Sequence, residues 1–101
     1  MLRHIVTYKF LPEAEGRTKA ENLEMAKCLA AKMGESIPVL KAFLCGTGCE
    51  GQKADNYDII LICDLEDLDA LAEYKLHPAH KAFGSLCHAV SSGRAAIDFE
   101  I

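Results

Sequence analysis

The chain contains no cluster of basic residues, no apolar run of 18 residues and no C-x-x-C pair, and each absence removes a class of function. Its 11 lysines and arginines are scattered singly against 15 acidic residues, for a net charge of −4. A surface of that sign gains nothing from counterion release at a phosphate backbone, so nucleic acid is not an expected partner. With no long apolar segment, nothing in the sequence should span or anchor in a membrane. Met1 to Phe10 alternates polar with apolar residues, whereas a secretion signal has an uninterrupted apolar stretch. The expected location is therefore the cytoplasm. The five cysteines are an odd number and several sit in apolar surroundings, as in Ile59-Ile60-Leu61-Ile62-Cys63, so they read as reduced, buried thiols. Cys45-x-x-x-Cys49 supplies two ligands where a closed zinc site needs four, and no metal is expected there.

What is present fits one folded domain spanning residues 1–101. Half the residues are hydrophobic and 26% are charged, enough apolar surface to offset the entropy of ordering the chain. Leu2 to Phe10 carries the two-residue period of a strand and ends at Pro12. Leu23, Ala26, Ala30, Met33 and Ile37 recur at helical spacing between Thr18, a candidate N-cap with Glu21 at the capping-box position, and Pro38. Strands are expected over Val39 to Thr47 and Tyr57 to Asp64, joined by a polar, glycine-containing hairpin loop from Gly48 to Asn56. A helix should run from Glu66 to Leu76, a further short helix should begin at Pro78, and a last strand should cover Arg94 to Ile101.

The order β-α-β-β-α-β is the ferredoxin-like arrangement, an α+β fold in which helices cover one face of a four-stranded antiparallel sheet. Residues 59–62 are apolar toward both faces, so the uncovered face calls for a partner, and a second copy of the chain pairing through the sheet faces is the economical one.

Two motifs invite readings that their context does not support. Gly46-Thr47-Gly48-Cys49-Glu50-Gly51 fits G-x-G-x-x-G, but it leads into another strand and not into the helix whose N-terminus would hold a pyrophosphate. It is read as a hairpin connection. His77-x-x-His80 has the spacing of two ligands on one helical face, but Pro78 places His77 outside the helix. His88, near the end of the last helix, reads as a solvated C-terminal residue.

The segment Glu73-Tyr74-Lys75-Leu76-His77-Pro78-Ala79-His80 concentrates the groups able to move protons near neutral pH. Together with Arg3-His4-Ile5-Val6-Thr7-Tyr8-Lys9-Phe10, Asn56-Tyr57-Asp58-Ile59-Ile60-Leu61 and Asp98-Phe99-Glu100, it resembles the stress-responsive A/B barrel (Dabb) domain family over essentially the whole chain. The resemblance implies a ferredoxin-like protomer that pairs into a dimeric α+β barrel. Cyclases of the olivetolic acid cyclase type in that family use a tyrosine and a histidine of the same stretch, which implies Tyr74 and His80 as catalytic residues of a cofactor-independent lyase or cyclase. A neutral imidazole would remove a proton beside a carbonyl while a phenol hydrogen-bonds the oxygen that becomes enolate-like. His4 and His77 are expected to line the same small apolar pocket, and the ligand to be a small carbonyl-bearing or aromatic molecule. Alternative expectations are a noncatalytic small-molecule binding protein and a cofactor-free monooxygenase-like barrel enzyme.

Overall fold

The structure, a computed structural model, describes residues 1–101. The alternating segment Leu2–Phe10 becomes β1, and β5 (Ile59–Leu65) pairs with it antiparallel, Leu2 opposite Leu65 and Tyr8 opposite Ile59. β4 (Ala42–Thr47) lies on the outer side of β5 and β6 (Ser91–Glu100) on the outer side of β1. The sheet order is therefore β4-β5-β1-β6, all antiparallel, the ferredoxin-like topology expected from the element order. A small hairpin, β2 (Glu13–Ala14) with β3 (Arg17–Thr18), precedes the first helix. The periodicity did not reveal it because each arm has two residues, and its turn is set by positive φ at Glu15 and Gly16.

Helix α1 (Lys19–Ser36) starts at the capping box foreseen at Thr18 and Glu21, each side chain accepting from the other's backbone N–H. It buries Asn22, Ala26, Ala30 and Met33, one stripe at helical spacing, and Gly34 lets it approach β4. A Cβ at Gly34 would fall 2.9 Å from the Phe43 ring. Helix α2 (Leu68–Leu76) begins two residues later than expected, because the Asp67 carboxylate accepts from Ala70 N–H and makes Asp67 the N-cap. Helix α3 (Pro78–Val90) follows at once and runs thirteen residues. β4 starts later than expected, and β6 starts earlier, directly after α3. No helix is long and apolar enough to cross a membrane.

The helices lie on one face of the sheet, where Leu2, Val6 and Phe10 of β1 and Ile59, Leu61, Cys63 and Leu65 of β5 form the core with Met33, Phe83 and Val90. The opposite face is bare. Across it runs a row of four apolar residues, Leu44, Ile62, Ile5 and Ile97, one from each strand in register. Leu44 and Ile97 are 60% and 61% exposed, and Phe99 is also open. On β5 it is thus Ile60 and Ile62 that face outward and Ile59 and Leu61 that face the helices. Beside this row Arg3 donates two hydrogen bonds to Asp64, at 2.7 and 2.9 Å, and this pairing holds the Asp64 carboxyl below its ordinary range.

The expectation of five buried thiols is only partly met. Cys63 and Cys87 are buried and Cys45 is half-buried, but Cys28 and Cys49 are exposed. Cys28 lies off the buried stripe of α1 and Cys49 sits in the polar hairpin loop, so neither is covered by a packed element. Burial pushes the Cys63 and Cys87 thiols up to about 11 and about 12, which leaves them protonated and poorly nucleophilic.

Candidate functional site

The junction between α2 and α3 is made by His77, which closes one helix and opens the next. Pro78 restricts it to extended backbone and itself occupies N1, where its missing N–H costs nothing. The His77 ring Nδ1 accepts from Ala79 N–H at 3.1 Å, so this imidazole caps the start of α3. A proline between two histidines redirects the first one to the helix end.

The break turns His80 back over the last turn of α2. Its Nδ1 lies 3.1 Å from the Lys75 carbonyl oxygen. A carbonyl can only accept, so Nδ1 carries the proton and Nε2 of the neutral ring has a free lone pair. The ring is tilted against Tyr74 at a centroid separation of 4.7 Å, and Tyr74 in turn meets the edge of His4 at 6.0 Å. His4 is buried on the helix side of β1, and its Nδ1 donates to the carboxylate of Asp98 directly across on β6. The result is a continuous row, Asp98, His4, Tyr74, His80, running from the sheet edge to the surface of α3.

His4, Tyr74 and His80 are neighbours in the fold, and Asp98, which the sequence did not single out as the partner of His4, completes the row. The two are 94 residues apart, and only the β1–β6 register makes them neighbours. Tyr74 has no exposed surface, and its hydroxyl lies 3.5 Å from the Cys63 sulfur. Burial pushes the phenol pKa well up, so it stays protonated. The expected pocket beside these residues is not among the cavities of the protomer. Those have volumes of about 250, 240 and 340 Å³ and are lined around Lys27 and Asp58, around Gly46 and Tyr57, and around Met25 and Cys28. The physical reason is that the Tyr74 ring itself fills the space between His4 and His80. No group of three or more His, Cys, Asp or Glu side chains is arranged to hold a metal ion.

Burial lowers the His80 pKa from its ordinary 6.5, with nearby His4, Lys75 and Arg94 acting in the same direction and the bond to the Lys75 carbonyl opposing. The unfolded chain therefore binds a proton at this residue more readily than the folded one, and the histidine's contribution to stability falls as pH drops below about 6.5. Urea midpoints taken at pH 7.5 and 5.5 should show a smaller acid loss in His80→Gln than in the unaltered protein. Equal losses would mean that the ring is as free to protonate folded as unfolded.

No curated protein matches the sequence, whereas several solved structures share its fold. A dimeric ferredoxin-like protein of unknown function from Thermobifida fusca is 27% identical, with a TM-score of 0.83 over 99% of this chain and 90% of that one. The hydroxynitrile lyase of Passiflora edulis shares the fold at 13% identity, with a TM-score of 0.77 over 99% of this chain and 92% of that one. An antibiotic biosynthesis monooxygenase does so at 16% identity, with a TM-score of 0.74 over 100% of this chain and 98% of that one. The family described as Stress responsive A/B Barrel Domain, Dabb, matches residues 2–101, and the chain belongs to that family.

Proposed function

We propose that this protein is a cytoplasmic homodimer whose protomers each carry an acid–base site centred on His80, acting without a cofactor as a lyase or cyclase on a small carbonyl compound. The observation that carries this reading is the bond from His80 Nδ1 to the Lys75 carbonyl. It leaves Nε2 free as the base, in a ring that its surroundings favour as neutral. Nε2 takes a proton from the carbon beside a carbonyl, leaving an enolate. The enolate carbon attacks a second carbonyl, and the proton returns from His80 to the alkoxide so formed. The reverse sequence is a carbon–carbon cleavage.

Tyr74 has a different role from the phenol donor implied by the family's cyclases, because a residue with no exposed surface does not reach a ligand. It is a positioning residue. Its ring fixes the face of His80, while His4, held by Asp98, backs it from the sheet.

Proton exchange into small ketones in deuterated water, followed by NMR, tests this directly. His80→Ala should slow exchange by roughly 10²-fold or more while the circular dichroism spectrum is retained. Tyr74→Phe keeps the ring and loses only a weak contact to a thiol, so its rate should stay within about one order of magnitude. Exchange unaffected by His80→Ala removes the catalytic reading. Saturable binding with no exchange for any ketone would leave a noncatalytic binding protein, the rival that a row of well-packed histidines also suits.

A further inference from the structure

The most exposed large apolar side chains of the protein stand on α2 and not on the bare sheet face. Leu68 is 67% and Leu76 is 68% exposed, above even Leu44 and Ile97. Ala72, midway between them, is exposed as well. Residues four apart lie one above the other on a helix, so the three form one apolar stripe, about 12 Å long at a rise of 1.5 Å per residue. A single exposed leucine is ordinary on a protein surface, but two on one stripe make a continuous ridge.

The stripe cannot turn inward. Leu71 and Tyr74 are buried in the core on the other side of α2, and a rotation that hid Leu68 and Leu76 would bring those two into water. Pairing through the bare sheet faces does not cover the stripe either, because the helices lie on the opposite side of the sheet.

The charge beside the stripe indicates what does cover it. Residues 66–76 hold four acidic residues, Glu66, Asp67, Asp69 and Glu73, against Lys75, a net −3 in a chain whose whole charge is −4. All five are exposed, and none takes part in an ion pair. Asp67 caps the helix, and Asp69 in the first turn suits the positive end of its dipole. Glu73 has no such reason, since it stands in the last turn, where the dipole disfavours a carboxylate. It is also four residues from Asp69, so two like charges face each other along one flank of the stripe. An opposite charge laid alongside would relieve both.

We propose that the face of α2 carrying Leu68, Ala72 and Leu76 docks a basic amphipathic helix of a partner protein. Apolar residues at i, i+4 and i+7 of that helix seat against the stripe, and its lysines or arginines meet Asp69 and Glu73. A second copy of this chain is disfavoured, because α2 against α2 would oppose two segments of net −3. An anionic membrane surface is disfavoured for the same reason. The surface is independent of the reading of His80 as a base.

The probe is a synthetic helical peptide of about 18 residues with leucines on one face and lysines on the other, titrated into the full-length protein and followed by amide NMR. It should bind saturably in the micromolar range, with the largest shifts in residues 66–76. A peptide of the same composition with its leucines scrambled out of register should bind about tenfold more weakly or worse. Leu68→Ser/Leu76→Ser should cost a similar factor, and Glu73→Gln about threefold. The substituted side chains are exposed, and the shift map is read on the unaltered protein, so the outcome does not hinge on a variant folding. No binding up to about 1 mM, shifts centred on Leu44 and Ile97, equal binding of the scrambled peptide, or undiminished binding in the variants would each overturn the proposal. A fall in the mass of the unliganded protein on Leu68→Ser/Leu76→Ser would overturn it in favour of a second copy. Binding to anionic phospholipid vesicles that the same variant abolishes would overturn it in favour of a membrane.

Discussion

Replacing Leu44 or Ile97 by aspartate should convert the proposed homodimer to a monomer, with light scattering reporting the mass falling from twice 11.0 kDa to a single 11.0 kDa chain. Both residues are more than half exposed in the protomer, so the substitution costs the isolated fold little and its effect reads association. They end the apolar row that crosses all four strands through Ile62 and Ile5. With Phe99 beside it, this is a contiguous apolar patch of the kind that single-chain proteins rarely leave in water. The solved relative from Thermobifida fusca is dimeric. A two-fold interface carries each substitution twice, and one unpaired charge buried in an apolar interface costs several kcal/mol, so two exceed what a modest interface supplies. Aspartate variants that keep the dimeric mass at micromolar concentration would show that the sheet face is not where the copies meet. Ile62→Asp is a weaker test, because Ile62 is already half-buried in the protomer and its loss also disturbs folding.

The second large effect is expected at Tyr74. Tyr74→Ala should destabilise the protein by about 3–5 kcal/mol, the range for removing a large buried ring, which for a domain of this size lowers Tm by more than about 12 °C. The ring is fully buried, stands between His4 and His80, and has only a 3.5 Å contact from the Cys63 thiol at its hydroxyl. Tyr74→Phe should therefore leave Tm within a few degrees, since a weak neutral hydrogen bond contributes about 1 kcal/mol or less. The pair of variants separates packing from hydroxyl chemistry. If the phenylalanine variant were as unstable as the alanine one, the phenol oxygen would be a principal support of the core. If neither changed Tm, the row from the sheet to His80 would not be a packed unit.

Much of this protein is dictated by local pattern. The alternation of Leu2 to Phe10, the stripe from Ala26 to Met33, the capping box at Thr18 and the break at Pro78 each act over a few residues, where spacing and backbone geometry are sufficient. They determine the element order, and with it the ferredoxin-like sheet, and they mark His80 and Tyr74 as residues of one helix junction. The glycine-rich stretch at Gly46 to Gly51 was legible as a hairpin connection for the same reason, since the next element in the chain is a strand.

Whatever depends on register and coverage was decided only in three dimensions. That Asp98 rather than water meets His4, that Ile60 and Ile62 face outward while Ile59 and Leu61 face the helices, and that Arg94 shares the helix-side face with Tyr8 are all set by which residues lie opposite one another across strands. A shift of one residue would reverse every face, and no local feature of β6 fixes its register against β1. The exposure of Cys28 and Cys49 and the filling of the expected pocket by the Tyr74 ring have a related cause, because packing is settled by the shapes of elements distant in sequence. The sequence by itself determined the fold and the residues able to move a proton; the tertiary structure decided which of their nitrogen atoms is free and which charges surround it.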